Sequence, residues 1–276
     1  MTATKGNPFK GVSISLMIYD VLCSYEEYLL TAGRARETAR TYLARLEILL
    51  QGQSLNLTAE NLDIRKAMEN LSEIKYKNYF SQSKNAFLHF CEFLNVALSD
   101  DDINQIETLE EKCKKKYRRL EVIEFKAIDK KIKAIRNKKL KTSYQTMLAT
   151  GLRVSELAQI AKTNCQIRDD EIHFFFIGKG GNPESVIITK EEQPKLFDSL
   201  LELTATLTDN QKIFYSAVYL QDHAKKLGFK CHDLRRICSV LEYKKTKSKS
   251  EVKRKLRHSS IKNTNRYLRS KVNLNF

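Results

Sequence analysis

The sequence predicts a mainly α-helical protein with one small antiparallel β-sheet, built as two domains. Three observations predict it. Breakers are scarce, with 9 glycines and 3 prolines in 276 residues, while apolar residues recur at helical spacing through most of the chain. Two aromatic and β-branched segments, EIHFFFI at 171–177 and ESVIIT at 184–189, flank the Gly-rich turn GKGGNP and read as a hairpin. A polar, acidic stretch at 99–111 interrupts the apolar pattern and marks a boundary between a first domain, 1–110, and a second, 111–276.

The first domain reads as a set of helices. Ile14, Leu16, Met17, Val21, Leu22, Tyr25 and Leu29 give the helical period over 13–30. The stretch TAGRARE is a turn, and Tyr42, Leu43, Leu46, Leu49 and Leu50 lie on one side of the helix that follows. Arg34, Arg36, Arg40 and Arg45 fall around its start and polar face. Thr58 is the expected cap of a third helix, with Glu60 or Asn61 in its first turn. Tyr79, Phe80, Phe87, Phe90 and Phe93 give a longer helix over 73–97, where helical spacing marks the aromatics as core. In the second domain helices are expected near 121–136 and 140–149, and again from the hairpin to about 270. Val272, Leu274 and Phe276 alternate with polar residues, as in a short terminal strand.

Charge divides the chain more sharply than hydropathy does. The formal net charge is +16. Residues 1–110 carry 11 Lys and Arg against 15 Asp and Glu, and residues 111–276 carry 38 against 18. The whole positive excess therefore belongs to the second domain. It calls for a polyanionic partner, of which nucleic acid is the commonest. No basic helix shows the broad apolar face that a membrane surface would need. The six cysteines, at 23, 91, 113, 165, 231 and 238, form no Cys-x-x-Cys pair and no zinc spacing. They are expected to be reduced thiols of a cytoplasmic protein with no metal site. The N-terminal apolar stretch, broken by Asp20, Glu26 and Glu27, fits neither a signal peptide nor a membrane span.

Three segments of the second domain carry chemistry. In ATGLRVSELAQI (149–160), Thr150 and Gly151 make a turn and Arg153 opens a short helix. Arg153 reads either as a partner of Glu156 or as an anion ligand at a helix start. In CHDLRRICSVLEY (231–243), His232 and Arg235 share a helix face, an arrangement suited to a phosphate. In LRHSSIKNTNRYLRS (256–270), His258 stands nine residues before Tyr267. The basic run KCKKKYRRL at 112–120 reads either as a solvated linker or as a segment laid along phosphates.

Together, and in this order, the segments resemble the tyrosine recombinase family of phage-type integrases and Xer-like resolvases. The family pattern is T-G-L-R-x-S-E-L, a lysine in a β-hairpin, H-x-L-R, and then L-G-H-x-S-x-x-x-T-x-x-Y. This chain reads TGLRVSEL at 150–157, GKGG at 178–181, HDLR at 232–235 and LRHSSIKNTNRY at 256–267. The likeness spans about 112–270; the N-terminal helices match the family's core-binding domain in size, position and helicity alone.

The resemblance implies a two-domain DNA clamp, with a helical core-binding domain ahead of the catalytic domain. It implies that Arg153 and Arg235 grip the scissile phosphate, where forked charged donors suit the task better than lysine. His232 and His258 would donate to that phosphate or handle the tyrosine proton, and Lys179 would protonate the leaving 5′ oxygen. Tyr267 would attack phosphorus, with Glu156 behind the arginines. Arg34, Arg36, Arg40, Lys114, Lys115 and Lys116 are the expected backbone contacts. The partners are double-stranded DNA and three further copies of the chain, in a tetramer on two DNA sites. Free protein is expected as monomer or dimer, in the nucleoid, off the membrane and without cofactor. A type IB topoisomerase-like enzyme and an inactive DNA-binding regulator are the rival readings.

The chain departs from the pattern at Arg257, where the family has glycine; a side chain there is expected to crowd DNA or to add a phosphate contact. Only nine residues follow Tyr267. The 272–276 segment is accordingly expected to add a strand to a neighbouring protomer.

Overall fold

The computed structural model describes residues 16–54, 57–114, 122–178 and 180–274. Lys115, Lys116, Lys179 and Phe276 lie outside these, as does Ile14. The chain divides into two compact units on either side of position 118.

The first unit holds α1 (Leu16–Thr31), α2 (Arg36–Leu49), α3 (Ile64–Ser72), α4 (Lys77–Phe93) and α5 (Asp100–Lys112). Its core is the apolar stripe that the sequence shows: Tyr25, Leu29, Leu46, Leu49, Phe80, Phe87 and Phe90 are all essentially inaccessible. The cap of α3 differs from the expectation. Asp63, not Thr58, accepts from the Lys66 amide, while Thr58 donates its own amide to Asn61 in the preceding turn. A carboxylate next to the first turn displaces a more distant hydroxyl as cap. The acidic stretch read as a boundary is itself helical. Ser99 and Asp102 form a capping box at the start of α5, three aspartates complement its N-terminal dipole, and Ile106 is buried in the first unit's core.

The second unit runs β1 (Ile123–Glu124), α6 (Phe125–Lys133), α7 (Lys138–Thr150), α8 (Val154–Leu157), a 3₁₀ turn (Lys162–Asn164), β2 (Cys165–Arg168), β3 (Glu171–Ile177), β4 (Pro183–Thr189), α9 (Pro194–Ala205), α10 (Ala217–Lys226), α11 (Cys231–Thr246), α12 (Lys249–Lys255), α13 (Ile261–Leu268) and β5 (Val272–Asn273). The hairpin pairs Ile177 with Pro183 next to the turn and Glu171 with Thr189 at its far end. A third antiparallel strand, β2, joins it. Alternation sets its faces: Ile172, Phe174, Phe176, Val186 and Ile188 point into the core, while Phe175, Ile177 and Ile187 face outward.

The terminal strand forms, but within its own chain. Val272 and Asn273 pair in parallel with Ile123 and Glu124 of the same chain. β1 supplies an open edge in the same unit, at no cost in association entropy. All six cysteines are free. Among the described residues no helix is long and apolar enough to cross a membrane.

Candidate active site

Helix α7 ends at Gly151, whose left-handed φ of 65° turns the chain into α8. A side chain there would be strained in backbone and would force its neighbours to shift. A Cβ at Gly151 would lie 2.4 Å from Leu256 Cδ2 and 3.2 Å from Cys238 Sγ, so α7, α11 and the end of α12 meet at this backbone. Gly151→Ala is expected to lower stability by roughly 1–3 kcal/mol through the positive φ alone. Denaturant unfolding measures it, and an unchanged midpoint would show that the turn relaxes freely.

Arg153 is the residue on which α8 starts. Its amide donates to Glu156 Oε2 at 2.8 Å, and its guanidinium pairs with Oε1 of the same carboxylate. The reading of Arg153 as a partner of Glu156 holds, at the helix start where the sequence places it. Glu156 is buried and serves more than one cation. Arg235 Nη1 lies 3.9 Å and Arg257 Nη2 3.5 Å from its Oε2. Burial alone would raise the Glu156 pKa; the Arg153 amide and guanidinium, with Arg257 behind them, hold it below the usual range.

Arg235 lies within α11 at 1% exposure, the largest fully buried side chain in the described chain. Its Nη1 donates to the Gly151 carbonyl and its Nη2 to the Leu256 carbonyl, which fixes the plane of the fork. Its Nε is also buried and has no acceptor among the described residues. Burial first, and then the charge of Arg153, lower its pKa to about 10, so it remains a cation at neutral pH. Arg153, Arg235 and Arg257 share the two carboxylates of Glu156 and Glu184, which leaves the cluster cationic.

Tyr267 comes to this cluster on α13. Its ring centroid lies 4.8 Å from that of His258 and 5.1 Å from that of His232. The Arg235 guanidinium sits 5.8 Å from the same ring. Tyr267 packs on Cys238, Val252 and Leu256, so a basic run, KKTKSKSEVKRK at 244–255, contributes an apolar seat through Val252 as well as charge. Lys245, Arg254 and Lys255 of that run are paired with Glu192, Glu251 and Glu242.

Both histidines beside Tyr267 are pushed towards the neutral form. Burial of one ring side, with Arg236 and Arg235 beside it, lowers the pKa of His232, although the residue keeps an exposed edge. Burial pushes His258 down to about 4, with Arg235 and Arg153 adding to the effect. His258 Nδ1 shares a 3.0 Å hydrogen bond with the hydroxyl of Thr264, which is fully buried on α13. Sequence reasoning did not single out Thr264, though it stands at the family's threonine position.

The low His258 pKa predicts a pH dependence. The folded state refuses a proton that the unfolded state accepts near 6.5. Stability is therefore fully present above about pH 6.5 and falls as pH drops from there towards 4. Melting temperatures across that window should fall less steeply for His258→Gln than for the parent protein. Equal slopes would show that His258 protonates freely.

The remaining expected contacts lie elsewhere or outside the description. Arg34, Arg36 and Arg40 are exposed around the α1–α2 turn, Arg40 within 3.8 Å of Glu37. Lys114 is exposed and its backbone bridges to Tyr76. Arg257 does not reach outward as expected. It has φ 53° and turns inward, between Glu156 and Glu184. Among the described residues no group of three or more His, Cys, Asp or Glu side chains could hold a metal ion.

The sequence profile of the phage integrase family matches residues 118–273, more than half of the chain. The chain belongs to the phage integrase family. It is thus a tyrosine recombinase, an enzyme of DNA strand transfer. No curated protein matches the recombinase. Its fold is similar to that of three solved recombinases. One is lambda integrase, as a tetramer bound to a Holliday junction, at 15% identity over 94% of this chain and 79% of that one, with a TM-score of 0.62. XerH, in a post-cleavage complex with its palindromic difH substrate, is 15% identical over 92% and 86%, at 0.57. The Tn1549 transposon integrase, with circular intermediate DNA, is 15% identical over 90% and 94%, at 0.56.

Proposed function

We propose that this recombinase cuts and rejoins DNA through a 3′-phosphotyrosine at Tyr267, in the integration or excision of a mobile element. The observation that carries the reading is the meeting of three distant segments. Arg235, His232 and His258 surround the Tyr267 ring, Arg153 is held beside Arg235 by the Glu156 carboxylate that they share, and a buried Arg235 N–H there lacks an acceptor. A phosphate oxygen is the acceptor that such a donor suits.

In the reaction, the Tyr267 hydroxyl oxygen bonds to phosphorus and the P–O5′ bond breaks. The tyrosine proton passes to neutral His258. The bond's electron pair goes to O5′, which takes a proton from Lys179 Nζ. Arg153, Arg235 and His232 hold the non-bridging oxygens, where negative charge builds in the transition state. Glu156 orients both arginines. The phosphotyrosine conserves the energy of the broken ester, so the 5′ hydroxyl of another strand reverses the step without cofactor. The nucleophile sits in its own chain's cluster, so each protomer cuts the strand that it holds.

Residues 1–110 act as a core-binding domain and 111–276 as the catalytic domain, clamped on duplex DNA. The +20 balance of the second domain, with the exposed Arg34, Arg36, Arg40 and Lys114, supplies backbone contacts. The active assembly is a homo-tetramer on two sites, as for lambda integrase on its junction. The test is trapping on nicked DNA from the flanks of the gene, in the presence of a chelator. A denaturant-resistant adduct is expected at that DNA and not at random sequence. Adduct formation at every sequence would instead make the chain a topoisomerase-like enzyme, and tight binding without adduct a regulator.

A further inference from the structure

Arg257 occupies a backbone position that glycine would fill at less strain. Its φ of 53° lies in the left-handed region, which costs an L side chain about 1 kcal/mol. The side chain is nevertheless held on every side. Nη1 donates to the Lys255 carbonyl at 2.9 Å, and Nη2 lies 3.5 Å from Glu156 Oε2. Nε lies 3.0 Å from Glu184 Oε2, and the guanidinium carbon sits 5.4 Å from the Phe176 ring centroid. The Glu184 contact is off the N–H axis: it is an ion pair without a hydrogen bond, and both atoms are buried.

Glu184 is the second residue of β4, and its carboxylate is pressed on the other side against the backbone of Gly178. A Cβ at Gly178 would lie 2.4 Å from Glu184 Cδ and Oε1. Gly178 and Asn182 close the β3–β4 turn, the Gly178 amide donating to the Asn182 carbonyl at 2.8 Å. One carboxylate thus links the base of the turn to Arg257, and Arg257 links it to the Glu156 carboxylate that Arg153 and Arg235 share.

We propose that Arg257 is a positioning residue, which acts through Glu184 and Gly178 to dock the base of the β3–β4 turn on the arginine cluster and thereby supports protonation of the leaving 5′ oxygen. The inference rests on the proposed reaction, in which the acid is Lys179, between Gly178 and Gly180. It assigns Arg257 no contact with DNA. Its role is charge balance as well: without it, the half-buried Glu184 carboxylate would lack a cation at its buried Oε2.

The experiment compares cleavage of an ordinary phosphodiester with cleavage of a substrate carrying sulfur in place of the leaving 5′ oxygen. A thiolate leaves without a proton, so loss of the acid matters on the first substrate alone. Arg257→Gly is expected to slow single-turnover cleavage of the ordinary ester by about 10–100-fold, a fraction of what general acid catalysis contributes. On the sulfur substrate the loss should shrink to within about 3-fold, well below that range. Glu184→Gln and Gly178→Ala should show the same pattern, as should Lys179→Ala with a larger loss. Arg257→Gly relieves backbone strain, and Glu184→Gln leaves the backbone as it is, so the pair guards against misfolding as the cause. An equal loss on both substrates would place Arg257 on the phosphate or in the fold and overturn the proposal, as would unchanged cleavage of both. A parent protein that forms no adduct on either DNA would instead overturn the reaction on which the proposal stands.

Discussion

Tyr267→Phe should bind DNA as the parent protein does and yield no covalent adduct. The substitution removes one oxygen. The ring keeps its seat on Cys238, Val252 and Leu256, and its ring contacts with His232 and His258. Stability should change by less than about 0.5 kcal/mol, as for a partly exposed site with no cavity formed. The chemical effect is of a different order, because no other group can take the nucleophile's place. The residual rate is that of water attack, a loss of about 10⁶-fold when a nucleophile is deleted. Gel analysis of trapped complexes, with filter binding of the same DNA, separates the two effects. An adduct that survives in the variant would assign the nucleophile to another of the 12 tyrosines.

The second large effect is expected at Arg235, where catalysis and folding depend on one side chain. Truncation to alanine leaves the carbonyls of Gly151 and Leu256 without their donor, in a site closed to water. It also takes one cation from Glu156, itself 2% exposed. Removing one partner from a buried charged network costs about 3–5 kcal/mol. Loss of a fixed donor at the phosphate adds about 2.7–4 kcal/mol to the barrier, or 10²–10³ in rate. Arg235→Lys separates the two. An ammonium restores charge, and with it part of the stability, but it cannot span two carbonyls and an oxyanion with one planar fork. Urea midpoints of both variants should therefore differ by more than their single-turnover rates do. Cleavage by Arg235→Ala within tenfold of the parent would remove Arg235 from the phosphate.

The sequence by itself determined most of the local structure. The helical period of Leu43, Leu46 and Leu49 and of Phe80, Phe87 and Phe90 marked the first unit's core, because a burial stripe repeats with the helix. Aromatic and β-branched content on either side of a Gly-rich turn marked the hairpin, whose register the structure supplies. The order and spacing of the motifs, through their resemblance to the tyrosine recombinase family, singled out Arg153, His232, Arg235, His258 and Tyr267. Single turns were less legible. The choice of Asp63 over Thr58 as a cap depends on which of two polar residues meets the first free amide.

Tertiary structure decided what spacing cannot carry. Which strand pairs with Val272–Asn273 depends on where β1 ends, about 150 residues earlier in the chain. The inward turn of Arg257 depends on two carboxylates, one of them 73 positions before it and the other 101. The neutrality of His258 depends on burial and on the arginines brought beside it. Periodicity is a local property of a chain, readable residue by residue. Desolvation and the field of distant charges exist once the chain has closed on itself, and they set the protonation states with which this cluster meets a phosphate.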